Sequence, residues 1–223
     1  DIEVEGDAAQ AAPLRGHVAH VRRMERLAPE LMRVELSLQD GAPIAFKAGQ
    51  YINIVLDDGQ RRAFSFANPP QRPDPIELHV RLIPGGRFTG HVFTQMKVGD
   101  SLRFEGPLGD FTLRDGEHPI LFVAGATGFA PIKSIVEDAF ARGLSRPMCL
   151  YWGVRQRSDL YAMALAEQWQ REYPNFKFVP VLSHDDSTDW NGRRGMVHEA
   201  MLADFPDLRG FEAYVCGSLK MVA

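Results

Sequence analysis

Between about residues 16 and 111, apolar and polar positions follow one another in short runs. H-V-A-H-V-R-R-M (17–24), L-M-R-V-E-L-S-L (31–38), Y-I-N-I-V-L (51–56), R-A-F-S-F (62–66) and I-E-L-H-V-R-L-I (76–83) are rich in β-branched and aromatic residues. Several alternate with the two-residue period of a strand. Gly41, Asp57-Asp58-Gly59, Pro69-Pro70, Pro84-Gly85-Gly86 and Gly99-Asp100 separate them as turns. Closely spaced strands with such punctuation predict an antiparallel β-barrel or sandwich. One short helix is expected near residues 90–96.

The pattern changes at Pro119. P-I-L-F-V-A (119–124) is an unbroken apolar run, as a buried parallel strand is. Helical stretches at 132–142, 162–169 and 196–202 then alternate with strands at 148–153, 176–182 and 212–217. That order predicts an α/β domain with a parallel sheet. The expected division is a linker at 1–14, a barrel at 15–115 and an α/β domain at 116–223. The acidic start D-I-E-V-E-G-D-A-A-Q-A-A-P has no apolar periodicity and reads as a flexible linker. The closing S-L-K-M-V-A reads as the first turn of a helix, so an incomplete C-terminus is expected.

Composition narrows the class. Of 223 residues, 45% are hydrophobic and 24% charged, values of a globular chain that exclude a disordered or fibrous one. The net charge is -4, and Asp1, Glu3, Glu5 and Asp7 account for it, which leaves a neutral body unsuited to nucleic acid. No apolar run approaches the roughly 18 residues of a membrane span. No signal peptide is visible in the sequence. Cys149 and Cys216, the two cysteines, predict neither a disulfide framework nor a metal site, and a reducing cytoplasm is the simplest compartment.

Two segments carry phosphate-binding chemistry. G-A-T-G-F-A-P (Gly125 to Pro131) joins a buried strand to a helix. Glycines let such a turn approach a diphosphate, and the helix N-terminus stabilises its charge. A plain strand–helix turn would look similar. R-A-F-S-F-A-N (Arg62 to Asn68) sits on a predicted strand, where alternation puts Arg62, Phe64 and Phe66 on one side and Ser65 on the other. An arginine beside an aromatic ring and a hydroxyl could hold an anionic, planar ligand. An ordinary strand with a solvated arginine is the plainer alternative.

Together the segments resemble the ferredoxin–NADP reductase superfamily. R-A-F-S-F-A-N is similar to its flavin-binding signature, and P-G-G-R-F-T (Pro84 to Thr89) to its flavin-diphosphate loop. G-P-L-G-D-F (Gly106 to Phe111) is similar to the segment that closes the barrel, and G-A-T-G-F-A-P to the pyridine-nucleotide turn. C-G-S (Cys216 to Ser218) with Met221 resembles the segment beside the nicotinamide. Two departures stand out: Ala126 replaces a glycine, read as cheap because alanine is small, and Leu219-Lys220 replace a proline pair. L-Y-W-G-V-R-Q-R-S-D-L-Y and W-N-G-R-R-G-M-V-H-E-A look most like the reductase components of oxygenase-type and deoxysugar-type systems, and like NAD(P)H:flavin reductases.

The resemblance implies a flavoprotein that binds FAD and uses NADH or NADPH. Arg62, Gly86, Arg87, Phe88 and Thr89 would serve the FAD diphosphate, with Ala63, Phe64, Ser65 and Asn68 along the flavin. His79, Val80 and Arg81 would meet it through backbone groups, with a solvent-facing side chain the plainer reading for His79. Gly125, Ala126, Thr127, Gly128 and Pro131 would hold the dinucleotide diphosphate, with Gly153 and Arg155 beside the ribose. Cys216, Gly217, Ser218 and Met221 would flank the nicotinamide. Ser65 and Cys216 would be catalytic, Ser65 near flavin N5 and Cys216 near nicotinamide C4. Arg155 and Arg157 favour a 2′-phosphate, Asp159 repels it, and NADH is the expected donor.

The implied acceptor is a [2Fe-2S] ferredoxin domain or protein, serving a downstream oxygenase or reductase component. A ferredoxin domain ahead of Asp1 is expected, and no metal site on this chain. The basic cluster Arg15, His17, His20, Arg22, Arg23 and Arg26 is either a solvated strand face or a docking surface for that ferredoxin. Two alternatives remain: a flavin reductase that releases reduced flavin, and a flavin- and nucleotide-binding sensor or assembly subunit without turnover.

Overall fold

A computed structural model describes residues 15–185, 187–218 and 221. The linker at 1–14 and the Leu219-Lys220 departure lie outside the described residues.

The first half is a six-stranded antiparallel sheet of β1 (Gly16–Ala28), β2 (Leu31–Leu38), β3 (Tyr51–Val55), β4 (Arg61–Ser65), β5 (Ile76–Arg81) and β6 (Ser101–Leu108). The strand order is β4-β3-β6-β1-β2-β5. The sheet curls until its ends meet, where the Ala67 N–H donates to the Glu77 carbonyl at 2.8 Å. Val21, Val34, Leu36, Ile52, Ile54, Ile76, Leu78, Val80 and Phe104 fill the interior at 1% exposure or less. β6 sits mid-sheet, yet its residues did not stand out as a strand in the sequence. Ser101, Arg103 and Glu105 dilute the apolar signal, which rests on Phe104 and half-buried Leu102.

The helix expected at 90–96 is α1, Arg87–Thr94. It starts earlier because Gly86 is extended and caps it, and Phe88, Thr89 and Val92 form its buried face. It ends at Thr94 because both the Gln95 and Met96 N–H groups turn back onto the His91 carbonyl.

The second half is a five-stranded parallel sheet of β7 (Ile120–Gly125), β8 (Met148–Val154), β9 (Phe176–Leu182), β10 (Arg193–Arg194) and β11 (Glu212–Cys216), ordered β10-β9-β8-β7-β11. The alternation of β7 explains its unbroken apolar run, because both of its faces are covered. Ile120, Phe122 and Ala124 pack with α2 (Phe129–Ala141) and α3 (Met163–Glu172). Leu121 and Val123 pack with Val197, Ala200 and Met201 of α4 (Val197–Asp204).

The two halves are joined by polar contacts, buried at Lys133 and Ser134 and more exposed at Gln71 and Arg72. Lys133 Nζ donates to the Ala67 carbonyl at 2.9 Å, and Ser134 Oγ to the Asn68 carbonyl at 2.8 Å. Gln71 donates to Asp138 at 2.6 Å, and Arg72 pairs with Glu137 at 2.7 Å. Ala48, from the barrel side, belongs to the core of the α/β half.

Candidate functional site

Two clefts open between the halves and adjoin each other. The first, of about 480 Å³, is lined on the barrel side by Arg62, Ala63, Phe64, Ser65, His79, Arg81, Ile83 and Thr89. Across it stand Gly125 to Gly128, Pro131, Cys216, Gly217 and Ser218. The second, of about 260 Å³, is lined by Gly125 to Thr127, Gly153, Arg155, Ser218 and Met221 among others. Arg81, Gly125, Ala126, Thr127 and Ser218 border both.

The local chemistry suits a dinucleotide. Neither α1 nor α2 carries a side-chain cap or an acidic residue in its first turn; α1 thus presents its first N–H groups to an anion, whereas the Phe129 N–H of α2 turns back onto the Ala126 carbonyl and the 125–128 turn itself becomes the end of that helix. Gly125, Gly128 and Gly217 are packed where side chains would not fit. A Cβ at Gly128 would lie 2.1 Å from the Cys216 carbonyl oxygen, and one at Gly217 2.6 Å from Met221 Cε. The glycines thus let the 125–128 turn lie directly on the end of β11. The Arg62 guanidinium donates to the Gln60 side chain at 2.7 Å and the Arg61 carbonyl at 2.9 Å, and among the described residues no carboxylate pairs with it. Its charge remains available to a phosphate.

Ala126 carries more than its size. Its φ is +47°, the left-handed region in which a Cβ is unfavourable. The cost of replacing glycine here is therefore one of backbone conformation.

Several expected residues stand elsewhere. Asn68 is 3% exposed and spends its amide on the barrel, donating to the Arg72 carbonyl at 2.6 Å and accepting from the Glu77 N–H at 2.9 Å. It clasps the chain after β4 and lines neither cleft. Phe66 leaves the Arg62–Phe64 side, buried and stacked on Phe46 at 3.9 Å. The Val80 side chain is core, which leaves only its backbone for the contact expected of it. Phe88 packs on Phe64, and Arg87 pairs with Asp58 outside the clefts. Gly86 lines a neighbouring groove with Ile83 and Arg87.

His79 does not face solvent. Its side chain is 2% exposed, with Nδ1 3.0 Å from the Tyr161 hydroxyl and Nε2 2.8 Å from Glu77 Oε1. Cys216 lines the first cleft as a half-buried thiol whose pKa burial raises, so at neutral pH it is protonated. Cys149 is core, its thiol pushed up to about 11 by burial. In the basic cluster, Arg23 pairs with Glu25 at 2.7 Å and Arg26 lies over the Phe93 ring.

Tyr161, Ser183, Met196 and Glu30 line the second cleft and were not foreseen. Tyr161 and Ser183 follow the ends of β8 and β9, where ligands of parallel sheets bind; that rule could have singled them out.

Comparison with known proteins agrees with this geometry. A family described as "Oxidoreductase FAD-binding domain" matches residues 18–113, and one described as "Oxidoreductase NAD-binding domain" matches 122–223. The CDP-6-deoxy-L-threo-D-glycero-4-hexulose-3-dehydrase reductase of Yersinia pestis is 43% identical over 89% of the chain and 60% of that relative. The aromatic O-demethylase reductase subunit of Amycolatopsis is 38% identical over 100% of the chain and 67% of that relative. The solved ferredoxin reductase in carbazole 1,9a-dioxygenase is 27% identical, with a TM-score of 0.82 over 95% of this chain and 64% of that one. The chain spans about three-fifths of the length of the Yersinia relative. With both halves, their order and their sequence matched, the chain belongs to the FAD- and NAD-binding oxidoreductase modules of the ferredoxin–NADP reductase-like family.

Proposed function

We propose that the chain is the FAD and NAD(P)H module of a reductase component, passing electrons from NAD(P)H through FAD to a [2Fe-2S] ferredoxin domain or partner. The observation that carries this reading is the shared border of the two clefts at Gly125–Thr127, Arg81 and Ser218. Bound FAD would supply hydride acceptance from NAD(P)H and one-electron release to an iron–sulfur acceptor. Arg62 and the N-terminus of α1 would hold its diphosphate. Ser65 would orient the flavin, and Cys216 with Gly217 would keep water from the far wall.

The names of the relatives support a multicomponent system, since they end in a reductase or reductase subunit that serves a dehydrase or a demethylase. A ferredoxin-type domain fits the part of those relatives that this chain does not span. NADH is favoured as donor. Asp159 and Glu30 line the nucleotide cleft beside Arg155, whereas Arg157 is drawn to Asp189 at 3.4 Å and to the Trp190 ring. Two carboxylates repel a 2′-phosphate.

The test is acceptor choice. The FAD-loaded module should reduce ferricyanide with NADH, and reduce cytochrome c well only when a [2Fe-2S] ferredoxin is added. If free flavin is reduced rapidly and ferredoxin adds nothing, the module is a flavin reductase. Equal kcat/KM for NADPH would remove the NADH preference.

A further inference from the structure

A chain of four buried and half-buried side chains crosses between the halves twice. Lys133 on α2 lies 3.4 Å from Glu77 Oε2, and Glu77 Oε1 lies 2.8 Å from His79 Nε2, Glu77 and His79 both standing on β5. His79 Nδ1 lies 3.0 Å from the Tyr161 hydroxyl, back in the nucleotide half. Lys133, Glu77 and His79 side chains are 8%, 13% and 2% exposed. His79 borders the flavin-side cleft and Tyr161 the nucleotide-side cleft.

The protons of this chain have one arrangement. Burial alone would raise the Glu77 carboxyl, but the His79 hydrogen bond and the Lys133 charge outweigh it and hold the carboxyl at about 2. Burial lowers the His79 pKa, so at neutral pH the ring lends Glu77 a hydrogen bond rather than a charge. Glu77 can only accept, so Nε2 carries the hydrogen and Nδ1 is bare. Tyr161 is kept protonated, first by burial and then by the Glu77 charge, and donates to Nδ1.

The Tyr161 ring is fixed as well. It stands edge-on to His79 at 5.2 Å, to Trp152 at 5.0 Å and to Phe129 at 5.8 Å. Trp152 also holds the 125–128 turn through Ala126. Tyr161 closes the loop that starts with Arg155 and Asp159, both in the nucleotide cleft. The other polar links between the halves run from α2 to residues 67–72 and 77, and from Arg142, Arg146 and Tyr214 to Arg114 and Asp115, so among the described residues Tyr161 is the link that reaches this loop.

We propose that Tyr161 and His79 are positioning residues: their hydroxyl–imidazole contact sets how deeply the nucleotide-binding loop seats against the flavin-binding strand. The proposal rests on the functional reading above. It makes the contact matter to the approach of the two ligands more than to nucleotide affinity, because a misplacement of about 1 Å can cost a factor of 100 in transfer rate.

Tyr161→Phe removes one oxygen and keeps the ring. In the FAD-loaded protein, the limiting rate of flavin reduction by NADH should fall about tenfold or more, with the NAD+ dissociation constant by calorimetry within about twofold of wild type. His79→Leu should slow reduction similarly, and the double variant should be no slower than His79→Leu alone, as expected of groups acting as a unit. Nitrogen NMR provides a readout independent of turnover: NAD+ should shift the His79 Nδ1 resonance in wild type and not in Tyr161→Phe. A Tyr161→Phe variant that bleaches at the wild-type rate, multiplied losses in the double variant, or an Nδ1 signal indifferent to NAD+ in wild type would each overturn the proposal. If neither NADH nor NADPH bleaches the wild-type flavin, the functional reading falls and the proposal falls with it.

Discussion

Trp152 donates its indole N–H to the carbonyl oxygen of Ala126 at 2.9 Å, pinning the one non-glycine residue among those described that has a left-handed backbone. Left-handed alanine costs about 1–2 kcal/mol, whereas glycine loses about 0.4–1 kcal/mol through the freedom it adds to the unfolded chain. Ala126→Gly should therefore stabilise the protein by about 0.5–1 kcal/mol and raise Tm by about 1–4 °C. Trp152→Phe, which keeps a ring to stack on Phe129, should cost about 1 kcal/mol for the lost hydrogen bond. Thermal melts decide both, and an Ala126→Gly variant that melts lower would show that the turn is not strained.

Gly128 and Gly125 are not equivalent. A Cβ at Gly128 meets the Cys216 carbonyl at 2.1 Å, a backbone atom that cannot move alone, whereas one at Gly125 meets the Met221 sulfur at 2.6 Å. Overpacking costs about 1–3 kcal/mol, and these two sites should fall at opposite ends of that range. Urea melts should rank Gly128→Ala as the more destabilised, and NAD+ affinity should fall with it. Equal stability of the two variants would mean that β11 yields easily.

Among the described residues Arg62 has no carboxylate partner, so its loss should spare the fold and act on the ligand. Arg62→Ala should weaken FAD binding by about 1.5–3 kcal/mol, the range for hydrogen bonds to charged groups, or about 10–150-fold. Fluorescence titration of the apoprotein measures this. Undiminished FAD affinity would remove Arg62 from the site.

Acid should destabilise the protein in two windows. The folded-state pKa values of both His79 and Glu77 lie below their ordinary values of 6.5 and 4.5. The unfolded chain therefore binds more protons, and stability falls as pH falls. It is full above about 6.5, declines as the unfolded-state histidine protonates, and declines again from about 4.5 down to about 2. Glu77→Gln should be less stable at neutral pH and should lose the slope of the lower window. Urea midpoints across this range test it; a Gln variant with the wild-type slope would assign the acid effect to other groups.

Much of the fold was legible because its strands carry their own signal. Apart from Ser37, the runs at 31–38, 51–56 and 120–125 are apolar wherever the structure buries them. β6 was not, because its outer face is Ser101, Arg103 and Glu105, and its burial is decided by the strands on either side. The cleft residues of the two motifs were legible because their spacing is local: Arg62 to Ser65 on one strand, Gly125 to Gly128 in one turn. Tyr161 was not, since its partner His79 lies 82 positions away and only the packed halves bring them together. The same distance hid the burial of His79. Asn68 was misread because a motif position cannot show that a side-chain amide is already spent on Arg72 and Glu77.

Ala48 lies among the buried residues of the α/β half, with Phe111 and Leu113 packed against the same cluster. A Cβ at Gly49 would lie 2.9 Å from Ile135 Cδ1 on α2, so the loop before β3 fits that half closely. The consequence concerns how such proteins can be recombined. A chimera spliced at residue 115 would join a barrel shaped to one partner onto a nucleotide half shaped to another. Parental behaviour would return only when Ala48, Gly49 and the 67–72 segment travel with the half they touch, so the unit of exchange is a discontinuous patch rather than a stretch of chain.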